Sequence, residues 1–213
     1  MGTTTKKVFL YYMKQTQKLL ALSVGLGALL VAEFLILDPD FHLDAYAIQR
    51  MAGFILFMYM ICQASWGLYS VSYYDSLVLS FGGRRTDVRR GAMLREVLLA
   101  VEVLVIYCIL ALTFHMEVGV NTSLGYLAMG LVLGGFMRII GGLNLKHGRV
   151  VYIILVLVCA LTGGFTSGFT YATGYSFPFL EFFNSPFFAL ACILVYVVLQ
   201  YPLHRIYKNA KVY

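Results

Sequence analysis

The chain has 213 residues, of which 61% are hydrophobic and only 12% are charged, with a net charge of +6 and a mean hydropathy of +0.81. A soluble domain carries charge on roughly a quarter of its residues, so this composition excludes an ordinary soluble protein. The basic residues lie beside apolar runs, as topology signals do, and therefore do not indicate nucleic-acid binding.

The N-terminal segment, residues 1–18, mixes aromatic side chains with lysines, among them Lys14 and Lys18. This pattern predicts a short amphipathic helix in the cytoplasmic membrane interface, with its lysines toward anionic headgroups. A plain cytoplasmic extension of the first membrane span is the alternative. The apolar run that follows is too long for a signal peptide and lacks a small-residue cleavage site, so we expect it to remain as an anchor.

Six apolar runs are each long enough to cross about 30 Å of hydrocarbon. They cover residues 19–37, 51–73, 94–114, 123–145, 150–170 and 187–204. We therefore expect an all-α membrane domain over residues 19–213, with six transmembrane helices. The connections alternate between basic and acidic character along the chain, which places all of the basic segments on one side. The positive-inside rule then puts both termini in the cytoplasm.

The outer connection between the fifth and sixth runs is crowded with aromatic residues and contains Pro178 and Pro186. An aqueous loop rarely exposes so much aromatic area. The pattern is typical of a broken, re-entrant segment in the outer leaflet. An aromatic belt at the membrane interface fits it equally well.

Motifs of common enzymes are absent from the sequence. It contains no Walker A sequence, no glycine-rich dinucleotide loop and no His-Glu-x-x-His metal motif. The four cysteines fall in four different apolar runs, which is typical of small buried hydrophobic residues. We therefore predict no catalytic residue, no metal site and no cofactor in this chain. Gly130-x-x-x-Gly134 is a small-residue spacing that favours close helix packing.

Two charged residues lie inside apolar runs. Glu102 is in the third run and Arg138 is in the fourth, at depths of about 15 and 12 Å from the cytoplasmic ends at 1.5 Å per residue. Antiparallel neighbouring helices would bring them to a similar level, so we predict an intramembrane pair between Glu102 and Arg138. An Arg138 side chain that extends to the cytoplasmic headgroups is the alternative.

The connection between the second and third runs is rich in arginine. Five arginines fall between residues 84 and 95. Such a cluster is too costly to place in hydrocarbon, and it is either a topology anchor or a docking surface. Gly82 and Gly83 indicate a turn, and Thr86 or Asp87 is the expected N-cap of a short helix that merges with the third span.

The order Ser-Phe-Gly-x-x-Arg in this connection resembles a loop of six-span permease subunits of bacterial ATP-binding-cassette exporters, the ABC type-2 permease class. The pattern of that loop is Ser, an apolar residue, Gly, any residue, Thr or Ser, Arg, then Lys or Arg. Four positions match, namely Ser80, Phe81, Gly82 and Arg85. Arg84 stands in the Thr/Ser position, and Thr86 stands in the second basic position.

The resemblance implies that residues 74–95 include a coupling helix that docks onto a separate ATPase subunit. The residues it assigns to coupling are Ser80, Phe81, Gly82, Arg84, Arg85, Asp87, Arg89 and Arg90. It also implies an assembly of two ATPase subunits, which bind ATP and Mg²⁺, with a second permease subunit, identical or related. The expected location is a bacterial cell membrane, and the chain by itself would not be an enzyme.

Two functions from other classes remain open. A membrane scaffold or sensor would use the arginine-rich connection to bind anionic lipid or a signalling protein. An intramembrane enzyme would use Glu102 and would be active as an isolated polypeptide.

Overall fold

The computed structural model describes residues 3–37, 45–80, 82, 84–114, 120–148, 150–151, 153 and 185–209. All of the regular elements in these residues are helices, as the sequence predicts. They are α1 (Thr3–Leu37), α2 (Ala45–Tyr69), α3 (Asp75–Ser80), α4 (Arg85–Phe114), α5 (Val120–His147) and α6 (Pro186–Asn209). A five-residue π-helical segment, Ser70–Tyr74, joins α2 directly to α3.

Four helices within the described residues are long and apolar enough to cross a membrane. The stretches are Ala52–Tyr69, Arg85–Thr113, Asn121–Asn144 and Pro186–Lys208. They coincide with four of the six predicted runs. The first predicted run, 19–37, forms the second half of α1, and most of its side chains lie outside the described part. The fifth run, 150–170, and the aromatic outer connection fall almost wholly outside the described residues.

Helix α1 differs from the prediction for the N-terminal segment. It runs without a break from Thr3 to Leu37, so residues 3–18 do not form a helix separate from the apolar run. Its 35 residues span about 53 Å, far more than the hydrocarbon thickness. Buried residues recur at Thr5, Val8 and Tyr12, the spacing of one helix face. The first half of α1 therefore packs against protein, which corresponds to the predicted alternative of a continuous extension.

Glycines let α5 approach α2 closely. A Cβ atom on Gly67 would lie 2.3 Å from the carbonyl oxygen of Gly134, and one on Gly130 would lie 2.2 Å from the ring of Tyr59. A Cβ atom on Gly141 would lie 2.5 Å from the carbonyl oxygen of Leu68. The close packing predicted from the Gly130 and Gly134 spacing is confirmed.

Both described chain ends lie at one end of the bundle, which we call the basic end. The hydroxyl of Thr5, near the start of α1, donates to the carboxylate of Asp87. The Nη1 of Arg85 donates to the carbonyl oxygen of Lys208, near the end of α6, at 2.7 Å. Because Arg85 and Asp87 are in the first turn of α4, the start of α1, the start of α4 and the end of α6 meet at this end.

Candidate functional site

The arginine turn, residues 80–90, occupies the basic end between α3 and α4. Gly82 has a φ of 82°, and its N–H donates to the carbonyl oxygen of Leu79 at 3.0 Å. This left-handed conformation favours glycine and reverses the chain after α3. Ser80 is exposed at the end of α3, and its hydroxyl donates to the carbonyl oxygen of Leu77. Phe81 lies outside the described residues.

The start of α4 is earlier than predicted. The carbonyl oxygen of Arg84 accepts from the N–H groups of Asp87 and Val88 at 2.9 and 3.0 Å. Arg84 is therefore the N-terminal cap position, and the prediction of Thr86 or Asp87 as the N-cap is wrong by two or three residues. The carboxylate of Asp87 accepts from the hydroxyl of Thr5 in α1. Helix α4 then continues to Phe114, as the predicted merger with the third span requires.

The predicted coupling residues differ in exposure. Arg84, Arg85 and Arg90 are exposed. Arg85 contacts the end of α6, and Arg89 is half-buried with its Nε in the protein interior. Only part of the predicted surface is thus free at the basic end.

The first turns of α4 pack tightly on α1. Val88 and Ala92 have no exposed surface, and Val8 of α1 is 5% exposed. A Cβ atom on Gly91 would lie 2.9 Å from Cγ1 of Val8, so glycine allows this close contact. The arginine turn is therefore attached to α1 by packing as well as by the hydrogen bond between Thr5 and Asp87.

A buried charged network begins less than two turns further along α4. Arg95 and Glu96 are both fully buried. Arg95 donates from Nε to the hydroxyl of Thr16 at 2.8 Å and from Nη1 to Oε1 of Gln63 at 2.7 Å. Its guanidinium also lies 4.5 Å from the ring centroid of Trp66. Arg95 therefore connects α4 to α1 and α2 from a buried position, unlike the exposed Arg84 and Arg90.

Arg138 of α5 pairs with Glu96 and not with Glu102. The Nη2 of Arg138 donates to Oε1 of Glu96, and both side chains are fully buried. The hydroxyl of Tyr196 on α6 donates to Oε2 of the same carboxylate at 2.7 Å. Glu102 is half-buried, and its Oε2 has no hydrogen-bond partner among the described residues. The predicted Glu102–Arg138 pair is thus replaced by a Glu96–Arg138 pair, in which the carboxylate is six residues, or about 1.7 turns of α4, closer to the basic end.

Asp75 is the centre of a second buried cluster of hydrogen bonds, between the network and the arginine turn. The hydroxyls of Tyr12 and Tyr207 each donate to one of its carboxylate oxygens at 2.5 Å. Burial raises the pKa of the Asp75 carboxyl, and the positive charge of Arg138 and the two tyrosine hydrogen bonds oppose this rise only in part. Burial beside Asp75 also raises the pKa of the Tyr12 hydroxyl far above its ordinary value. Asp75 thus connects α3 to the start of α1 and the end of α6.

Together these contacts connect the six described helices through buried polar groups. Such an arrangement resists gradual deformation, because sliding one helix past another leaves a buried charge without its partner. When bundles of this kind move, they switch between two discrete packings instead of deforming gradually.

The sequence predicted neither Asp75 nor Glu96, and it did not predict Tyr12, Gln63 or Tyr196 as partners. The sequence did contain one indication that Arg138 points into the bundle. Gly134 and Arg138 are four residues apart, so they share a helix face, and Gly134 belongs to the glycine spacing that faces α2. A residue on that face must point into the bundle.

Comparison of the chain with protein-family models, with curated proteins and with solved structures gives no match. The functional interpretation therefore depends on the geometry of the arginine turn and of the buried network. Within the described residues, no group of three or more His, Cys, Asp or Glu side chains could hold a metal ion.

Proposed function

We propose that the chain is the transmembrane permease subunit of an ATP-driven exporter of the ABC type-2 class, and that the exposed part of the arginine turn docks onto a separate ATPase subunit. The observation that carries this assignment is the continuity of α4. The exposed side chains of Arg84 and Arg90 lie at the start of the same helix that holds Arg95 and Glu96 in the buried network.

The exposed arginines suit a docking surface. A guanidinium binds a carboxylate through two parallel hydrogen bonds, and Arg84 and Arg90 have no ion-pair partner among the described residues. Carboxylates of a partner cleft are the complementary groups. The positive charge of the arginine turn would by itself fit a topology anchor equally well. A topology anchor, however, does not require that the turn be rigidly attached to α1 and α6.

Force applied at the turn would reach most of the bundle. The start of α4 is attached to α1 through Thr5 and to α6 through Lys208, and the buried network extends these attachments to α2 and α5. Movement of the ATPase subunits would then be transmitted as a rigid-body shift of packed helices rather than as local bending. ATP and Mg²⁺ would be bound by the partner ATPase, and this chain would not be an enzyme by itself.

The complete assembly would contain two ATPase subunits and a second permease subunit, identical or related, with the translocation path between the permeases. We propose six spans in a bacterial cell membrane with both termini and the basic end in the cytoplasm. The basic segments at one end of the bundle support this orientation through the positive-inside rule. An amphipathic or lipid-like cargo would suit a path lined by apolar and small side chains.

Charge reversal tests the docking surface. Arg84→Glu with Arg90→Glu should abolish stimulation of the partner's ATP hydrolysis while the chain still inserts and folds. Lys14→Glu with Lys18→Glu is the matched control, because both lysines are exposed on α1 and the change in charge is the same. Equal coupling in the two variants, or equal loss, would contradict a docking role for the turn.

A further inference from the structure

Helix α3 is a six-residue arm between two irregular joints. Before it lies the π-helical segment Ser70–Tyr74, which ends where the N–H of Asp75 donates to the carbonyl oxygen of Ser70. After it the chain turns at Gly82, whose φ of 82° is left-handed. Short π segments next to α-helices are rare and occur mostly at functional sites, and a glycine at positive φ lets the chain change direction. Both ends of α3 are therefore positions at which the backbone can bend.

Two side chains hold α3 against the bundle. Of its six residues, only Asp75 and Val78 are buried. Val78 belongs to an apolar cluster that includes residues of α1, α4 and α6. The Asp75 carboxylate accepts from the hydroxyls of Tyr12 on α1 and Tyr207 on α6, each at 2.5 Å. One carboxylate thus joins α3 to two other helices.

The carboxyl of Asp75 is a titratable group in a site that opposes its charge. The charged or titratable groups that act on it are Tyr12 of α1, Tyr207 of α6, Arg138 of α5 and Glu96 of α4. Burial has the largest effect and raises the pKa, as does the charge of Glu96, whereas Arg138 and the two tyrosine hydroxyls lower it. A carboxyl that moves into water returns to its ordinary pKa, so ionisation favours the departure of Asp75 from this site.

The only tryptophan of the chain lies beside the first joint. Trp66 is 2% exposed, and its ring stacks on that of Tyr74, with the ring centroids 4.4 Å apart. Trp66 belongs to α2, whereas Tyr74 is the last residue of the π segment and directly precedes Asp75. A movement of α3 about the π segment therefore separates the two stacked rings. The fluorescence of Trp66 reports the position of α3.

We propose that α3 is a pH-dependent latch, which lies against the bundle while Asp75 is protonated and swings outward about the π segment when Asp75 is ionised. The start of α4 stays attached to α1 through the hydrogen bond from Thr5 to Asp87, so the turn at Gly82 absorbs the movement. Opening displaces the first residues of the arginine turn, and it requires neither a nucleotide nor a partner protein.

The test uses the purified full chain in mild detergent, with acrylamide as a neutral quencher of Trp66 fluorescence. Quenching and the emission maximum are measured from about pH 4 to about pH 9, and circular dichroism follows the helix content over the same range. Asp75→Asn keeps the size of the side chain and removes its charge. Glu102→Gln is the matched control, because it removes a half-buried carboxylate elsewhere in the bundle.

We expect quenching of Trp66 in the natural protein to increase, and its emission to shift to longer wavelength, as the pH rises. Between pH 3.8 and the raised pKa of the closed state, the ratio of open to closed protein should increase by up to about tenfold per pH unit. Glu102→Gln should keep this response and Asp75→Asn should remove it. A full response in Asp75→Asn, no response in the natural protein, or a response that accompanies loss of helix content would each overturn the latch.

A second pair of variants decides the matter if Asp75→Asn fails to fold. Tyr207→Phe removes one of the two hydrogen bonds to Asp75, so Trp66 should be quenched more strongly at acidic pH, where the natural protein is closed. Tyr201→Phe is its control on the same helix, because this hydroxyl accepts from Arg205 at the surface. Equal quenching in the two tyrosine variants would overturn the latch. None of these variants alters the arginine turn, so failure of the latch and failure of the docking surface give different results.

Discussion

Glu96 and Arg138 form an ion pair with no exposed side-chain surface, at the point where α4 crosses α5. The second oxygen of the Glu96 carboxylate accepts from Tyr196, so α6 joins the pair. Attraction inside such a pair is offset by the cost of removing both charges from water, and the net gain in stability is small. Removing one partner is different, because the remaining charge stays buried without compensation.

Glu96→Gln should therefore destabilise the protein by about 3–5 kcal/mol. Unfolding of the purified chain in mild detergent measures the change. Glu102→Gln is the control, since Glu102 lies in the same helix but does not contact Arg138, and it should cost less than about 1 kcal/mol. Similar losses for the two variants would contradict the assignment of the buried pair to Glu96.

Asp75 should make stability dependent on pH. Burial raises the pKa of its carboxyl above the ordinary value of 3.8, so the folded protein holds this proton more tightly than the unfolded chain does. The contribution of Asp75 to stability is then fully present below pH 3.8 and is lost as the pH rises through the raised folded-state pKa. Asp75→Asn removes the titrating group, so the variant should gain stability relative to the natural protein as the pH rises through this window. Parallel unfolding-temperature profiles across the pH series would contradict the burial of an ionisable Asp75.

Tyr12 should contribute through its hydroxyl and not only through its ring. Tyr12→Phe keeps the ring against Trp66 but removes a hydrogen bond to the Asp75 carboxylate, with an expected cost of about 1.5–3 kcal/mol. Tyr11→Phe is the neighbouring control, because the ring of Tyr11 packs on Tyr74 and the described contacts include no hydrogen bond from its hydroxyl. The difference between the two variants in the free energy of unfolding measures the bond. A difference near zero would show that the hydrogen bond from Tyr12 to Asp75 does not stabilise the protein.

The packing of α5 on α2 predicts opposite effects of alanine at two glycines of α2. In Gly67→Ala the new Cβ atom lies 2.3 Å from the carbonyl oxygen of Gly134, and backbone must move, which should cost about 1–3 kcal/mol. In Gly53→Ala nothing lies within 4 Å of the Cβ position, so the higher helix propensity of alanine should leave stability equal or higher. Unfolding temperatures of the two variants compare them directly. Equal tolerance would show that the helices are not in close contact at Gly67.

The sequence predicts the helices well because membrane spans depend on local properties. Apolar length and flanking charge located α2, α4, α5 and α6 to within several residues. The depth of the charged residues within their apolar runs did not identify the partner of Arg138. Glu96 and Glu102 are six residues apart, which rotates their side chains by about 240° around α4. Glu96 lies in the buried stripe with Ala92, Leu99 and Val103, whereas Glu102 lies beside it.

The burial of Arg95 could not be predicted from its neighbourhood in the chain. Its partners, Thr16 and Gln63, are 79 and 32 residues away, on α1 and α2. The sequence presents Arg95 as one more member of an arginine cluster. Only the packing of α1 against α4 distinguishes it from Arg84 and Arg90, which stay exposed. The same reason applies to Asp75, whose two tyrosine partners come from opposite ends of the chain.

The proposed function depends on docking of the arginine turn onto an ATPase subunit. Purification of the tagged full chain from its native membrane in mild detergent, followed by mass spectrometry of the co-purifying proteins, tests it most directly. We expect a stoichiometric partner that carries a Walker A sequence and is released by Arg84→Glu with Arg90→Glu but retained by Lys14→Glu with Lys18→Glu. Recovery of the chain without such a partner, across several detergents and with nucleotide present, would contradict it.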